Sequence, residues 1–379
     1  MTKINRVTIK IGTAVLTKLD GNSSQEVIDS LVDDVANLKD KGIQVVIISS
    51  GAVNLGRSVP ELKDRHFKLE QSGKFNPEIL REQILSAVGQ PKLMAAYSAS
   101  FEKRGYHCAQ LLVTRSDFAD RKFYLSLRVV TEELLRLGII PIFNENDVLT
   151  AEEINFGDND QLAMMVSAML NTDQLVVLTN VDGVFDRPPN DRKAIRLSEI
   201  SDVDQFLSQY WVAGRSLSGK GGMRSKLLCA ETLASLGIPM SIGSGLAKRP
   251  ITRLLRGESG TFFPAAERKE KASKVWLATA SVPSGNIIVS TYLAELLRHK
   301  RAASVLLAGI EEIRGDFNKK DVVKICDDDQ AVLGCGLVRF DSQELADKVK
   351  QYRALPDEEK AQIKAADTIA VHYNDFAFL

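Results

Sequence analysis

Apolar residues along this chain recur with two different periods, and the switches between them predict its elements. Val7-Thr8-Ile9-Lys10-Ile11-Gly12 alternates and is β-branched, which predicts a strand. From Gln25 to Asp40 the apolar positions are Val27, Ile28, Leu31, Val32, Val35 and Leu38, the spacing of a helix, which Lys41-Gly42 stops. Gln44 to Ser49 is an apolar run of the kind buried on both faces of a sheet. Ser50-Gly51-Ala52 follows at once, with a helix beginning near Val53. Strand, helix, strand, small polar turn and helix make a parallel βαβ unit.

The same reading continues downstream. Arg57 to Phe75 is polar and irregular. A helical region runs from Pro77 to near Arg104, with an interruption expected at Gly89-Gln90-Pro91. Strands are predicted over Tyr106–Thr114, Gly138–Phe143, Asp173–Thr179 and Ile238–Ile242. Helices are predicted over Phe118–Leu137, Gln161–Leu170 and Met223–Leu236, the first closed by Gly138 and the last by Gly237. Alternating strands and helices make roughly the first 260 residues one α/β domain with a largely parallel sheet. After the charged run Glu267 to Lys274 the texture changes. Short strands and close turns from Gly285 onward, at Ile287–Val289, Ser304–Leu307, Val322–Ile325 and Gly336–Phe340, predict a small, mainly β domain. The tail adds a helical pattern and a last short strand over Thr368–Val371.

Composition narrows the class without naming a function. The 379 residues are 44% apolar and 26% charged, with 49 basic and 49 acidic side chains. Zero net charge advertises neither a polyanion nor a membrane surface as partner. The N-terminus has no long apolar segment of the secretory type, and no stretch is long enough to span a bilayer. Cys108, Cys229, Cys326 and Cys335 are scattered and form no CxxC pair, as expected of buried thiols in a reducing, cytoplasmic setting. The four histidines are equally dispersed, which disfavours a zinc site or Ser-His chemistry.

Chemistry enters at the ends of the predicted strands. Gly12-Thr13, Ser49-Ser50-Gly51 and Gly221-Gly222 are small turns leading into helical patterns. Successive backbone N–H groups at such turns bind anions, although tight turns also need glycine for steric reasons. Lys10 falls inside a strand, and Lys226 lies on the first turn of a helix, where a cation opposes the macrodipole. Each alone fits a snorkelling lysine, but together with anion-binding turns they fit clamps on a transferring phosphoryl group. Lys220 and Arg224 are neighbouring cations that solvent exposure also explains. Asn144-Glu145-Asn146-Asp147 to Gly157-Asp158-Asn159-Asp160 contains six carboxylates, and no Lys or Arg occurs from Leu137 to Asp186. A one-sign loop after a buried strand suits a ligand site, while turn and cap roles account for the same residues. Such carboxylates can hold a substrate ammonium, orient Lys10 and Lys226, or accept waters of Mg²⁺. The patterns GxxxxGK[ST] and GxGxxG and the protein-kinase signatures are absent.

These segments carry a resemblance. Val7 to Thr17, Ser49 to Val53, Ala87-Val88-Gly89-Gln90, Ile142 to Asp147, Gly157 to Asp160 and Gly221 to Lys226 resemble the glutamate 5-kinase branch of the amino acid kinase family, in family order. The C-terminal part resembles a PUA domain. The resemblance implies an α/β three-layer sandwich around a largely parallel sheet, followed by a small mainly β PUA-like domain. The expected division is a catalytic domain over 1–262, a linker over 263–283, a PUA-like domain over 284–362 and a tail over 363–379. It implies ATP-dependent phosphorylation of the L-glutamate γ-carboxylate to L-glutamyl 5-phosphate, the first step of proline biosynthesis, with ATP and Mg²⁺ as cofactors. It also implies a homo-oligomer with proline as feedback inhibitor.

By the same resemblance, Lys10 and Lys226 match the two transfer lysines, and Asp160 the aspartate that positions them. Ser50, Asn144, Asp147, Asp158 and Asn159 match glutamate-contacting positions. Lys10, Thr179, Asn180 and the segment Lys220, Gly221, Gly222, Met223, Arg224, Ser225 and Lys226 match the nucleotide site. The chain departs from the branch at Asn180, where aspartate is usual, at Lys220, in a longer Arg57–Phe75 loop, and at Ser290-Thr291-Tyr292. The alternatives are another amino acid kinase, acting on acetylglutamate, carbamate or a phosphate monoester, or a non-catalytic RNA-binding or regulatory protein. From Ser284 to Leu379 there are 13 basic and 16 acidic residues, net −3, which disfavours a nucleic-acid partner.

Overall fold

The computed structural model describes residues 3–16, 25–62, 76–149, 159–210, 222–265, 272–279, 283–299 and 303–378. The chain divides into two compact units, residues 1–269 and 270–379.

The first unit is built on seven strands: β1 (Arg6–Ile11), β2 (Gln44–Ser49), β3 (Cys108–Val113), β4 (Ile140–Glu145), β5 (Gln174–Thr179), β6 (Met240–Ser244) and β7 (Thr261–Phe263). Their order is β3-β4-β2-β1-β5-β6-β7, all pairs parallel except β6 with β7. The connecting helices are α1 (Thr13–Leu16), α2 (Gln25–Lys39), α3 (Ala52–Arg57), α4 (Pro77–Glu102), α5 (Arg115–Ala119), α6 (Arg121–Arg136), α7 (Asn159–Leu170), α8 (Val203–Tyr210), α9 (Met223–Ser235) and α10 (Pro250–Leu255).

The two-residue period of β1 sorts its side chains between the layers. Val7, Ile9 and Ile11 join one core with Ile28, Leu31 and Val35 of α2, Tyr97 and Phe101 of α4, and Leu254 of α10. Thr8 and Lys10 therefore take the opposite face, which α7 covers. Helices on both faces of a mostly parallel sheet make the expected three-layer sandwich. All six residues of β5 are buried, as a central strand covered on both sides requires.

Several elements of this unit differ from the pattern-based expectation. The helix from Pro77 is continuous through Gly89-Gln90-Pro91 to Glu102. Packing overrides the local signal, because α3 and α4 cross backbone to backbone at glycines. A Cβ on Gly89 would lie 1.8 Å from the Ala52 carbonyl oxygen, and one on Gly56 would lie 2.0 Å from that of Leu85. The helix expected over Phe118–Leu137 is instead two, α5 and α6, because the Asp120 side chain accepts from the N–H groups of Lys122 and Phe123 and starts a new helix. Thr114 and Asp117 form a reciprocal capping box on α5. Helices α8 and α10 and strand β7 have no counterpart in the sequence reading. Fully buried Asp34 on α2 explains α10, accepting from the N–H groups of Ile251 and Thr252 and from the Thr252 hydroxyl.

The second unit contains β8 (Gly285–Val289), β9 (Val305–Leu306), β10 (Ile310–Arg314), β11 (Val322–Cys326), β12 (Val332–Val338) and β13 (Ile369–Phe378). They form one sheet in the order β10-β8-β11-β12-β13-β9, parallel only between β8 and β11. Its helices are α11 (Ala272–Thr279), α12 (Thr291–Arg298), α13 (Ser342–Ala354) and α14 (Asp357–Gln362). The last strand is ten residues long, not the short one predicted. The extension brings in Phe376 and Ala377, both buried, and β13 pairs with β12 and β9.

Candidate active site

The carboxyl ends of β1, β2, β4 and β5 open onto one cleft of about 570 Å³. Its walls include Lys10, Gly12, Ser50, Asn144, Asp147, Asn159, Thr179 and Lys226. Ligands of open parallel sheets bind at this edge, where the strand order reverses direction from β1.

At the cleft floor, Asp160 sits between two ammonium groups. Lys10 Nζ lies 2.6 Å from Asp160 Oδ1, and Lys226 Nζ donates to Oδ2 at 2.7 Å. All three are buried, with exposures of 6% for Lys10, 8% for Lys226 and 1% for Asp160. They come from three elements: the end of β1, the first turn of α7 and the first turn of α9. Burial by itself would raise the Asp160 carboxyl, but the two ammonium groups outweigh it and hold the pKa below its ordinary value. Two cations share this carboxylate, so the triad carries an excess positive charge toward the cleft. Buried charge of one sign calls for an anionic ligand.

One half of the cleft is a network of short polar side chains. Asn159 Nδ2 donates to Ser50 Oγ at 2.8 Å, to Asn144 Oδ1 at 2.9 Å and to the Ser49 carbonyl at 3.3 Å. Asn144 Oδ1 also accepts from the Glu145 N–H. Asn159 thus ties together the ends of β2 and β4. Gly51, at φ 105°, turns the chain from β2 into α3 in a conformation that favours glycine. Asp147 accepts a 2.5 Å hydrogen bond from Ser86 of α4. Burial pushes its carboxyl up, and the charge of Glu82 adds to the rise, while the Ser86 bond opposes it.

The other half is formed by Gly12, Leu178, Thr179, Asn180, Val181 and Met223. Thr179 Oγ1 donates to the Val181 carbonyl at 3.0 Å and accepts its N–H at 2.9 Å, closing the turn after β5. The Gly12 N–H donates to the Leu178 carbonyl, where a Cβ would approach to 3.2 Å.

Of the residues matched by resemblance, Lys10, Ser50, Asn144, Asp147, Asn159, Thr179, Asn180, Met223 and Lys226 line this cleft. Asp160 lies beneath them, paired to both lysines. Gly222 is the residue preceding α9 and Ser225 is on its first turn, but neither is among the cleft walls, and Arg224 points to solvent. Asp158, Lys220 and Gly221 lie outside the described residues, as does most of the loop to Phe75. The sequence reading missed Asn54, Arg57 and Glu82 as walls, and Ser86 as the partner of Asp147. Glu82 and Ser86 are four apart on α4, a spacing that puts both on one face. Only the packing of α4 over β4's outgoing loop shows where that face points.

Residues 5–244 match the amino acid kinase family, and residues 285–355 match the PUA domain. The chain is 36% identical over 335 residues to glutamate 5-kinase of Chlorobaculum tepidum, spanning 88% of this chain and 89% of that protein. It is 33% identical over 380 residues to glutamate 5-kinase of Geobacter sp. strain M21, spanning 100% and 98%. Carbamate kinase from Giardia lamblia bound to AMP-PNP aligns in structure with a TM-score of 0.51 at 17% identity, covering 70% of this chain and 100% of that one, a likeness of fold alone.

Proposed function

The chain belongs to the glutamate 5-kinase branch of the amino acid kinase family, and on that premise we propose that its cleft transfers the γ-phosphoryl group of ATP to the side-chain carboxylate of L-glutamate. The observation that carries this reading is the Lys10–Asp160–Lys226 triad between a polar, acidic half-cleft and the half formed by Gly12, Leu178, Thr179, Asn180, Val181 and Met223.

A carboxylate is already a nucleophile at neutral pH, so the chain needs no general base. One glutamate γ-carboxylate oxygen bonds to phosphorus as the bond from phosphorus to the ADP oxygen breaks. The products are ADP and an acyl phosphate. Catalysis is then positioning and charge stabilisation. Lys10 and Lys226 bind phosphoryl oxygens, whose charge spreads in the transition state, and Asp160 keeps both ammonium groups aimed at them. Ser50, Asn144, Asp147, Asp158 and Asn159 hold glutamate, with Asp147 taking the ammonium group. Thr179, Asn180 and the segment from Lys220 to Lys226 hold the nucleotide.

Mg²⁺ neutralises phosphate charge when it is bound with ATP. The chain's groups at the phosphate end are ammonium groups sharing one carboxylate, which suits phosphate oxygens rather than a metal cage. Among the described residues no three His, Cys, Asp or Glu side chains are grouped to hold an ion. We take Mg²⁺ to reach the cleft on the nucleotide phosphates.

No helix among the described residues is long and apolar enough to cross a membrane. Four free cysteines support a reducing, cytoplasmic setting. The exposed apolar side chains of α6, Phe123 at 60% and Val129 at 68%, support a homo-oligomer. Proline as inhibitor, and an assembly or regulatory role for the PUA-like unit, complete the reading.

Trapping the product with hydroxylamine tests the function. Hydroxamate should form only with both glutamate and ATP present. Formation with acetylglutamate or carbamate in place of glutamate, and none with glutamate, would reject it.

A further inference from the structure

A second cavity of about 340 Å³ lies in the first unit, walled by the end of α2 and by α10 with its flanking loops. Lys41, Lys248, Arg249, Arg253 and Arg256 line it, against the single carboxylate of Glu258. Arg256 and Glu258 are 3.6 Å apart. Among the described residues, Lys41, Lys248, Arg249 and Arg253 have no carboxylate partner. A solvated surface normally intersperses its charge signs, and this chain has no net charge to distribute. Five cations converging on one concavity repel one another unless an anion joins them.

The frame beneath is rigid. Buried Asp34 of α2 holds the first N–H groups of α10 and the Thr252 hydroxyl, pinning the two cavity walls together. The loop carrying Lys248 and Arg249 begins at Gly245, whose N–H donates to the Thr179 carbonyl at 2.8 Å. A Cβ there would meet Val15 at 2.6 Å. The cavity is thus one short, anchored loop from the nucleotide half of the cleft, yet shares no residue with it.

We propose that this cavity is a second anion site, taking a compact polyanion of two or three phosphate groups, either free or as the tail of a nucleotide. Guanidinium forks bind phosphate oxygens in pairs, and the flanking lysines supply point charges. The volume suits a small ligand. A nucleic-acid strand is disfavoured, because the cations gather in one cavity and, among the described residues, no aromatic side chain lines it for stacking.

Calorimetric titration of the full-length protein with sodium tripolyphosphate, at constant ionic strength, tests the site. The variants are Lys248→Glu/Arg253→Glu and the milder Lys248→Gln/Arg253→Gln. The unsubstituted protein should bind one equivalent more than the charge-reversed variant, and the neutral variant should bind that equivalent about tenfold more weakly. Turnover at saturating glutamate and ATP should be unchanged in both, which also shows that they fold. A parallel titration with a non-hydrolysable nucleoside triphosphate separates the sources: the extra equivalent there assigns nucleotides, and its absence there alone assigns free polyphosphate. Equal stoichiometry and affinity in all three proteins, or uptake of an RNA oligomer only, would overturn the site.

Discussion

Lys226 reaches from the first turn of α9 to donate a 2.7 Å hydrogen bond to Asp160 on the first turn of α7. A lysine at the N-terminal end of a helix opposes the macrodipole, and this carboxylate offsets that cost. Its ammonium group is thereby held at the cleft floor. In Lys226→Met the apolar stem is kept and the charge is lost. Turnover should fall by ~10²–10³, as on loss of one preorganised donor, with glutamate binding retained. Hydroxamate formation and equilibrium glutamate binding measure the two quantities. Near-normal turnover would remove Lys226 from the phosphate clamp.

Asp160→Asn is nearly isosteric but leaves two buried ammonium groups without their shared counter-charge. Turnover should fall by at least ~10², and stability by about 3–5 kcal/mol, the usual range for breaking a buried pair. The Asp160 pKa is lowered on folding, so its stabilisation is present above the ordinary value of 3.8 and is lost as pH falls through the folded value. Unfolding midpoints across that acid range should therefore fall less steeply in Asp160→Asn. An identical acid slope in the two proteins would count against the pairing.

Ser86→Ala removes the hydrogen bond that opposes the raised pKa of Asp147. The ionised carboxylate is the form that receives an ammonium group. The acid limb of kcat/KM for glutamate should consequently move to higher pH, with kcat at saturating glutamate little changed. Asp147→Ala should raise the glutamate KM at every pH. A pH profile identical to the unsubstituted enzyme's would show that Ser86 does not tune this group.

Gly89→Ala places a methyl group on the Ala52 carbonyl at the crossing of α3 and α4. Overpacking of this kind costs about 1–3 kcal/mol, or more where backbone must move. Because α3 carries Ala52 to Arg57 along the acceptor side of the cleft, the glutamate KM should rise as well. Denaturant unfolding and steady-state kinetics check both. Wild-type stability would mean that the two helices are not in backbone contact.

Phe123 and Val129 on α6 are exposed at 60% and 68%. Sedimentation should find the unsubstituted protein as an oligomer and Phe123→Asp/Val129→Asp shifted toward smaller species. Unchanged sedimentation of the double variant would place the contact elsewhere.

The sequence by itself determined the strands and helices whose burial repeats with a clean local period. The runs at Val7 to Ile11 and Gln44 to Ser49, the helix from Gln25 and the helix at Met223 are where the patterns put them. It also singled out Lys10, a charge inside a strand pattern, and Lys226, a cation at the wrong end of a helix, while Asp160 was reached only through the family resemblance. Tertiary structure alone decided which residues meet. The strand order puts β1 between β2 and β5, and the two-residue period turns Lys10 toward α7, so residues from three distant segments close on one carboxylate. Helix α4 survives Gly89 and Pro91 because its partner α3 approaches there, α10 is capped by Asp34 from a helix over 200 positions earlier, and Asp147 finds Ser86. Those outcomes depend on pairings across the fold, and a local period records only how deeply a residue is buried, not against what.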